Sequence, residues 1–519
     1  MEVVKSTIQR ASAAHDSVAL RAESYSYSYL QLFLSAWNIS EYLCDRIDNV
    51  ASENGKSAET NKKPKHLHGA RVGVVAKPSA EFVAGMLGTW LSGGVAVPLA
   101  LSYPETELLH VMNDSDISVV LSSEENRELM EKVATKCSSD FHLLPSVTSV
   151  RQKTDLLVPA EKEEFHSISK LAAEMSDDPA LVLYTSGTTG KPKGVVHTHK
   201  GIISQVQILA EAWEYRCSDQ FLHCLPLHHI QSECFCCKNI LYSVEFMPKF
   251  SVRGVWQRWR ESYPSDGSKV DSTITLFTGV PTMYTRLLQG YEAMDQDHKE
   301  ASALAARQLR LMMCGSSALP YPVMKQWENI TGHRLLERYG MTEFVMALSN
   351  PLNGFRKAGT VGKPLPRVEV KIIGDDGNTI DGVGELCVRS PSLFKEYWKQ
   401  PKVTEESFIE GGFFKTGDTV TVDEDGYYVI LGRSNADIMK VGGYKLSALE
   451  IEAVILEASV LECSVLGLQD KDYGEIVCAV IVLHKDIKKV SDQELKQAFS
   501  LEELQNWSKE RLAPYKVYS

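Results

Sequence analysis

Tyr184-Thr185-Ser186-Gly187-Thr188-Thr189-Gly190-Lys191-Pro192-Lys193-Gly194 is the stretch that decides how this chain is interpreted. It contains four Ser/Thr hydroxyls, three glycines and two lysines, and it directly follows the apolar run 180–183. That run predicts a buried strand. A strand that leads into such a loop offers backbone N–H groups, hydroxyls and ammonium groups to a polyphosphate. We therefore interpret the stretch as a phosphate-binding loop.

The spacing of this loop differs from that of a Walker A loop. Only two residues separate Gly187 from Gly190, and Pro192 stands where a Walker A loop requires Ser or Thr. A flexible surface hairpin is the alternative for a loop rich in Gly and Thr. The density of groups that bind phosphate favours the nucleotide interpretation.

Four further motifs follow in order along the chain. They are Gly315-Ser316-Ser317-Ala318-Leu319-Pro320, Tyr339-Gly340-Met341-Thr342-Glu343, Lys415-Thr416-Gly417-Asp418, and Gly432-Arg433 followed by Asp437, Lys440 and Gly442-Gly443. With the phosphate loop they resemble the motifs of the AMP-forming acyl-adenylate superfamily, which includes acyl-CoA synthetases, luciferases and peptide-synthetase adenylation domains. Because five motifs recur in the expected order, the chain is identified as a member of that superfamily.

Three side chains of these motifs suit a bound nucleotide on chemical grounds. The carboxylate of Asp418, expected in a tight Thr-Gly-Asp turn, can accept both ribose hydroxyls as charge-assisted hydrogen bonds. Glu343 is a hard oxygen ligand beside a phosphate site and suits Mg²⁺. Thr342 can donate its hydroxyl to the α-phosphate. The alternative interpretations are that Asp418 only forms a turn and that Glu343 is a surface glutamate without a ligand.

The resemblance assigns roles to individual positions. It implies that Thr342 and Glu343 are catalytic, that Glu343 holds the metal, and that Gly442 and Gly443 shape the coenzyme A site. It further implies that ATP is bound by Thr185, Ser186, Gly187, Thr188, Thr189, Gly190, Lys193, Gly315, Ser316, Ser317, Tyr339, Gly340, Asp418 and Arg433. In the family a carboxylate attacks the α-phosphorus of ATP and expels pyrophosphate, and the thiol of coenzyme A then attacks the acyl-adenylate.

The substrate acid is predicted from two arginines. Arg286 lies in the segment that resembles the acyl pocket of the family, and Arg338 directly precedes Tyr339. These strings are similar to those of malonyl-CoA synthetases, plant enzymes in particular, in which paired arginines hold the distal carboxylate. The resemblance also places His229 in the lining of the pocket. It therefore implies a ligase that forms malonyl-CoA from malonate, ATP and coenzyme A. A surface pair between Arg338 and a glutamate is the alternative.

Composition limits the classes of function. The 519 residues carry a net charge of −12 and a pI near 5.7, which argues against nucleic acid or anionic membrane as the main partner. Small molecules are the expected partners. No run of 18 apolar residues predicts a transmembrane helix. Eleven cysteines without an even framework indicate reduced thiols, so we expect a cytoplasmic protein, with a longer mitochondrial form as the alternative.

Alternating apolar β and α patterns predict an α/β fold with a large N-terminal domain of parallel sheets covered by helices. This AMP-binding domain is predicted over 1–432. Within it, residues 48–67 are expected to form a flexible insertion and residues 366–432 a β subdomain. A small, mobile α+β C-terminal domain is predicted over 433–519, after a hinge at 434–436.

The sequence departs from the family pattern at two places. Residues 230–239 replace a helix of small residues with a polar, cysteine-rich block that resembles a variant junction or a gene-model error. The lysine motif that the family carries after a string like Arg511–Lys516 does not appear before Ser519. Two alternatives therefore stay open beside the malonate ligase: a catalytically impaired nucleotide-binding relative, and a ligase for another short-chain acid.

Overall fold

The computed structural model describes most of the chain. The described ranges are 17–53, 66–149, 178–185, 192–227, 242–264, 266–268, 270–434, 437–441, 444–458, 460–470, 474–483 and 501–512. Within these ranges it confirms the predicted α/β class, with parallel sheets, covering helices and a separate small sheet near the C-terminal end.

Twenty-five strands lie in the described residues. They are β1 (Val18–Ala22), β2 (Tyr25–Ser28), β3 (Arg71–Val75), β4 (Val95–Pro98), β5 (Ile117–Ser122), β6 (Asp140–Leu143), β7 (Pro179–Thr185), β8 (Lys193–Thr198), β9 (Gln220–His223), β10 (Ser243–Phe246), β11 (Leu276–Gly279), β12 (Leu311–Cys314), β13 (Leu336–Tyr339), β14 (Leu348–Ser349), β15 (Lys363–Pro364), β16 (Glu369–Ile373), β17 (Gly384–Arg389), β18 (Glu396–Tyr397), β19 (Phe408–Ile409), β20 (Phe413–Val422), β21 (Tyr428–Arg433), β22 (Ile438–Val441), β23 (Tyr444–Ser447), β24 (Val460–Asp470) and β25 (Gly474–Leu483).

The same ranges hold twelve α-helices and one 3₁₀ turn, Glu124–Asn126. The helices are α1 (Tyr29–Glu53), α2 (Ala80–Leu91), α3 (Glu105–Asp114), α4 (Arg127–Lys136), α5 (His199–Trp213), α6 (Val252–Ser262), α7 (Pro281–Glu292), α8 (Gln296–Arg307), α9 (Tyr321–Thr331), α10 (Pro401–Glu406), α11 (Ala448–Leu456) and α12 (Leu501–Lys509). None of the helices in the described residues is long and apolar enough to cross a bilayer.

Two large sheets carry the fold. One runs β15-β14-β13-β12-β11-β9-β10-β1-β2, and its strands from β13 to β1 are parallel. The other runs β18-β8-β7-β4-β3-β5-β6, with a parallel centre and antiparallel β8 and β18 at one edge. Helices cover the faces, so central strands such as β11 and β12 are buried at every residue.

Helix ends follow from local capping. From the sequence, a helix is predicted from Tyr29 through Leu43, with Ser28 as its cap. Ser28 Oγ accepts from Gln31 N–H at 3.2 Å while Gln31 Oε1 accepts from Ser28 N–H at 3.0 Å, a reciprocal capping box that starts α1 at Tyr29. The helix then runs to Glu53, well past the predicted end at Leu43. The flexible insertion predicted over 48–67 therefore overlaps a helix at 48–53, and Leu67 is buried. Residues 54–65 lie outside the described part.

Two antiparallel sheets follow in the chain. Strands β16, β17, β20 and β19 form one, with β21 paired to β20, and this sheet brings β18 to the edge of the second large sheet. Strands β23, β22, β25 and β24 form the other, packed on α11 around Leu446, Ile451 and Ile455. The hairpin β22–β23 was not predicted from the sequence, since each strand has only four residues.

Candidate active site

The ends of neighbouring strands open into one cleft of about 1310 Å³. Ser316 follows β12 and Gly340 follows β13, while Val280, Cys224 and Phe250 follow the adjacent strands β11, β9 and β10. Because parallel strands end at the same edge of a sheet, residues far apart in sequence meet there. The cleft therefore combines a polar set, to which the ends of β12 and β13 contribute, with an apolar set after the next three strands.

The polar set contains at least one residue from each of the five predicted motifs. It consists of Thr185, Lys193, Ser316, Gly340, Thr342, Glu343, Lys415, Thr416, Gly417 and Arg433. Gly315 and Ser317 flank the lining residue Ser316, Tyr339 directly precedes the lining residue Gly340, and Asp418 directly follows the lining residue Gly417. Ser186, Gly187, Thr188, Thr189, Gly190, His229, Gly442 and Gly443 lie outside the described residues, as does the block 230–239.

The turn that carries Thr342 and Glu343 is tightly constrained. A Cβ at Gly340 would lie 1.8 Å from the carbonyl oxygen of Val345, so only glycine fits there. Val345 itself has φ +66°, a strained conformation for a β-branched residue, and is almost fully buried. His197 on β8 lies within hydrogen-bond distance of the Thr342 carbonyl, with its Nε2 at 2.8 Å. Burial lowers the pKa of His197 to about 4, so the neutral ring donates this hydrogen bond at pH 7.

Glu343 lies almost fully buried at the wall of the cleft. Its Oε1 accepts a hydrogen bond of 2.8 Å from the hydroxyl of Tyr397, whose ring faces the ammonium group of Lys193 at 5.4 Å. Burial raises the pKa of Glu343, while the bond from Tyr397 and the charges of Arg433 and Lys193 oppose that rise. The side chain is thus a carboxylate held among cationic and hydroxyl groups.

Asp418 lies within β20, and the prediction that it occupies a tight turn is wrong. The strand is irregular beside it, because Gly417 has φ +72° and donates its N–H to Glu385 Oε1 at 2.9 Å. Asp418 Oδ1 accepts from Arg433 Nε at 2.8 Å, and Oδ2 accepts from the hydroxyl of Tyr339. Burial raises the pKa of Asp418 against the opposing effect of these two donors. They fix the carboxylate while leaving lone pairs on both oxygens.

The structure places the two predicted substrate arginines in different surroundings. Arg338 is buried on β13, and its Nη1 would lie 2.7 Å from a Cβ at Gly315. Burial lowers the pKa of Arg338. Arg286 lies exposed on α7, with its guanidinium 5.4 Å from the ring centre of the cleft residue Phe250. Arg338 thus packs against Gly315, the residue before the cleft residue Ser316, and Arg286 lies beside the apolar set.

The oxygen donors of the cleft fit a magnesium ion carried by a nucleotide. In the part of the chain that the structure describes, no cluster of three or more His, Cys, Asp or Glu side chains could enclose a metal. Mg²⁺ commonly takes one or two carboxylates together with substrate phosphates and waters, so Glu343 beside the hydroxyls of Thr185 and Thr342 suits it.

Three residues of the site were missed by the sequence reasoning. His197, Tyr397 and Glu385 each hydrogen-bond a motif residue without belonging to the motifs that were recognised. The sequence offered one indication for His197, which is that it lies only four residues after Lys193 of the phosphate loop. Tyr397 and Glu385 are brought to the site by pairing of strands that are distant in sequence.

Comparisons with known proteins agree with this geometry. A family described as "AMP-binding enzyme" matches residues 65–398, and "AMP-binding enzyme C-terminal domain" matches residues 450–519. The "Probable CoA ligase CCL8" of Humulus lupulus is 63% identical over 530 residues, which cover 100% of this chain and 87% of that protein. The "Malonate--CoA ligase" of Arabidopsis thaliana is 60% identical over 522 residues, covering 100% and 84%.

A solved structure resembles the whole described fold. It is the crystal structure of ATP-bound MatB from Rhodopseudomonas palustris, which is 28% identical to this chain. The two superpose with a TM-score of 0.77, over 99% of this chain and 94% of that one.

Proposed function

The chain belongs to the AMP-binding enzyme family, and we propose that this acid–thiol ligase joins malonate to coenzyme A through a malonyl-adenylate. One observation carries the proposal: a single cleft combines the hydroxyl, lysine and carboxylate groups of the nucleotide motifs with an adjoining apolar compartment. The malonate ligase relative, identical at 60% of positions, supports malonate as the acid. ATP and coenzyme A are the other two substrates.

In the first step a malonate carboxylate oxygen attacks the α-phosphorus of ATP, and pyrophosphate leaves. Asp418 accepts the ribose hydroxyls, and Arg433 and Tyr339 keep its carboxylate oriented. The hydroxyl of Thr342 donates to the α-phosphate, and the ammonium group of Lys193 offsets phosphate charge. Positioning and charge stabilisation supply most of the acceleration in phosphoryl transfer of this kind.

In the second step the thiol of coenzyme A attacks the acyl carbonyl of the adenylate. The new thioester bond forms as the bond to the phosphate oxygen breaks, and AMP leaves. We assign the approach of the thiol to Gly442 and Gly443 on the strength of the sequence resemblance. We further propose that residues 433–519 form a domain that rotates about 434–436 between the two steps, which a change in distance between labels on the two domains would test.

Glu343 is the proposed ligand for the magnesium ion that accompanies ATP. When bound, the ion would neutralise charge on the phosphates. Glu343 would present an ionised carboxylate to the ion at the cleft wall. The hydrogen bond from Tyr397 favours the ionised form of this side chain.

Malonate differs from acetate in a second carboxylate, and we propose that Arg338 recognises it. A buried guanidinium is stabilised by an incoming anion, and the missing side chain at Gly315 lets the Arg338 nitrogen pack directly beside the backbone that leads to the cleft residue Ser316. Arg286, exposed beside Phe250, is the proposed second contact or an attractor for the dianion at the mouth. His229 is proposed to line the same pocket.

An ATP–pyrophosphate exchange assay with malonate tests the proposal, followed by mass detection of malonyl-CoA after coenzyme A is added. Exchange with malonate and formation of malonyl-CoA are expected. Exchange with another short-chain acid in preference to malonate would overturn the choice of acid. Nucleotide binding without exchange on any acid would identify a binding-only relative. The cytoplasmic location is also a proposal, which fractionation of cells would test.

A further inference from the structure

One short segment ties the catalytic turn to the strand that follows the phosphate loop. Strand β18 pairs with β8, and Trp398 N–H donates to the Gly194 carbonyl at 2.7 Å. Three residues before the end of β18, Phe394 N–H donates to the backbone carbonyl of Glu343, also at 2.7 Å. The backbone of residues 394–398 thus contacts both β8 and the turn that carries Glu343.

Tyr397 belongs to this segment, and its side chain is held on several sides. The ring is 7% exposed and lies 4.7 Å, centre to centre, from the ring of Phe394. Lys193 Nζ lies over it at 5.4 Å from its centre. The backbone N–H of Tyr397 donates to Thr404 Oγ1 at 3.0 Å. These contacts restrict rotation of the side chain, so its hydroxyl stays where it meets Glu343.

We propose that Tyr397 is a positioning residue, which aims the carboxylate of Glu343 at the divalent cation of bound Mg·ATP. The proposal rests on the proposed function, because it takes Glu343 as the metal ligand. Tyr397 occupies Oε1 of Glu343 at 2.8 Å and leaves Oε2 for the cation. Partners of this kind orient ligating carboxylates, and their removal typically lowers metal affinity about 10–100-fold.

The experiment measures how much Mg²⁺ tightens the binding of α,β-methylene-ATP. Calorimetry gives Kd for this analogue with saturating Mg²⁺ and again with EDTA, and the ratio of the two values is the metal coupling. In Tyr397→Phe we expect the coupling to fall about tenfold, with Kd in EDTA unchanged. Tyr427→Phe is the matched control, because its hydroxyl also donates one hydrogen bond, 2.8 Å to the Phe355 carbonyl, and Tyr427 does not line the cleft.

A double-mutant cycle separates positioning from a purely structural role. If Tyr397 acts through Glu343, Tyr397→Phe should change the metal coupling little when Glu343→Gln is already present. Wild-type coupling in Tyr397→Phe, with coupling lost in Glu343→Gln, would overturn the positioning role and leave the proposed function standing. Wild-type coupling in Glu343→Gln would overturn the metal assignment itself, and with it this inference.

A second variant covers the case in which Tyr397→Phe does not fold. 4-Aminophenylalanine at position 397 keeps the ring and places an N–H donor where the hydroxyl was. We expect this variant to retain coupling within about threefold of the wild type, since its donor still reaches Glu343. A tenfold loss in this variant, with its melting temperature unchanged, would contradict the role of the hydrogen bond.

Discussion

Replacing Asp418 by asparagine tests the ribose site with almost no change in volume. In the structure the carboxylate is nearly fully buried and accepts from Arg433 Nε and from the hydroxyl of Tyr339. An asparagine has only one acceptor oxygen, so its NH₂ group would face one of these two donors. The substitution therefore removes the charge and also disturbs the orientation of the side chain.

The expected loss follows from the hydrogen bonds to the two ribose hydroxyls. A hydrogen bond to a charged group contributes about 1.5–3 kcal/mol and a neutral one about 0.5–1.5 kcal/mol. Losing the charge at both hydroxyls should therefore cost about 2 kcal/mol, or roughly 30-fold in Kd for ATP. Arg433 also loses its anionic partner, so we expect a lower melting temperature in the same variant.

Calorimetry with α,β-methylene-ATP and its 2′,3′-dideoxy counterpart isolates the ribose contribution. Because each bond to the carboxylate contributes at least about 1.5 kcal/mol, the wild type should bind the dideoxy form roughly 150-fold or more weakly. In Asp418→Asn this discrimination should be about 30-fold smaller. Asp423→Asn is the control, because Asp423 is an ion-paired aspartate of the same sheet region that does not line the cleft. Equal discrimination against the dideoxy form in wild type and Asp418→Asn would refute the assignment.

Three further predictions concern the acid, the turn and the pH response. Arg338→Met should lower kcat/KM for malonate, with a loss of transition-state stabilisation of roughly 2–4 kcal/mol, while activity on acetate changes little. An equal loss on both acids would point to a folding defect instead. Gly340→Ala should reduce pyrophosphate exchange at least ~100-fold, because the new Cβ forces the Thr342 turn to move, whereas Gly201→Ala, which meets only ordinary contacts, should not. His197 has a folded pKa of about 4, below its unfolded value, so the stability it contributes is present above pH 6.5 and is lost as pH falls towards 4. The unfolding free energy should drop by roughly 3 kcal/mol across that window, and urea titrations of His197→Gln should show a flatter pH profile.

The sequence predicts strands over 71–76, 95–98 and 117–121 and helices over 79–91 and 105–113, and the structure confirms each to within one or two residues. Buried parallel strands such as Val95–Pro98 read as continuous apolar runs, and Ser79 marks the start of α2 by accepting the N–H of Phe82. The end of α1 could not be predicted in the same way, because its polar last turns carry no helix-stop signal and favour an insertion. Strands of four residues, such as Ile438–Val441, are too short for the alternation of apolar and polar residues to be recognised in the sequence.

Residues proposed to bind a ligand and residues that orient them differ in how well the sequence predicts them. Asp418 and Glu343 could be proposed for these roles from the sequence, because few side chains can accept ribose hydroxyls or hold Mg²⁺ and motif order further limits the choice. Many side chains can donate one hydrogen bond, and Tyr397 is separated from Glu343 by 54 positions. The pairing of β18 with β8 and the backbone hydrogen bond from Phe394 to Glu343 bring the two together. The proposed metal ligand is therefore recognisable from its motif, whereas the residue proposed to orient it depends on how distant strands pair. The metal coupling of Tyr397→Phe measures how strongly Mg²⁺-dependent nucleotide binding relies on the hydrogen bond that this pairing makes possible.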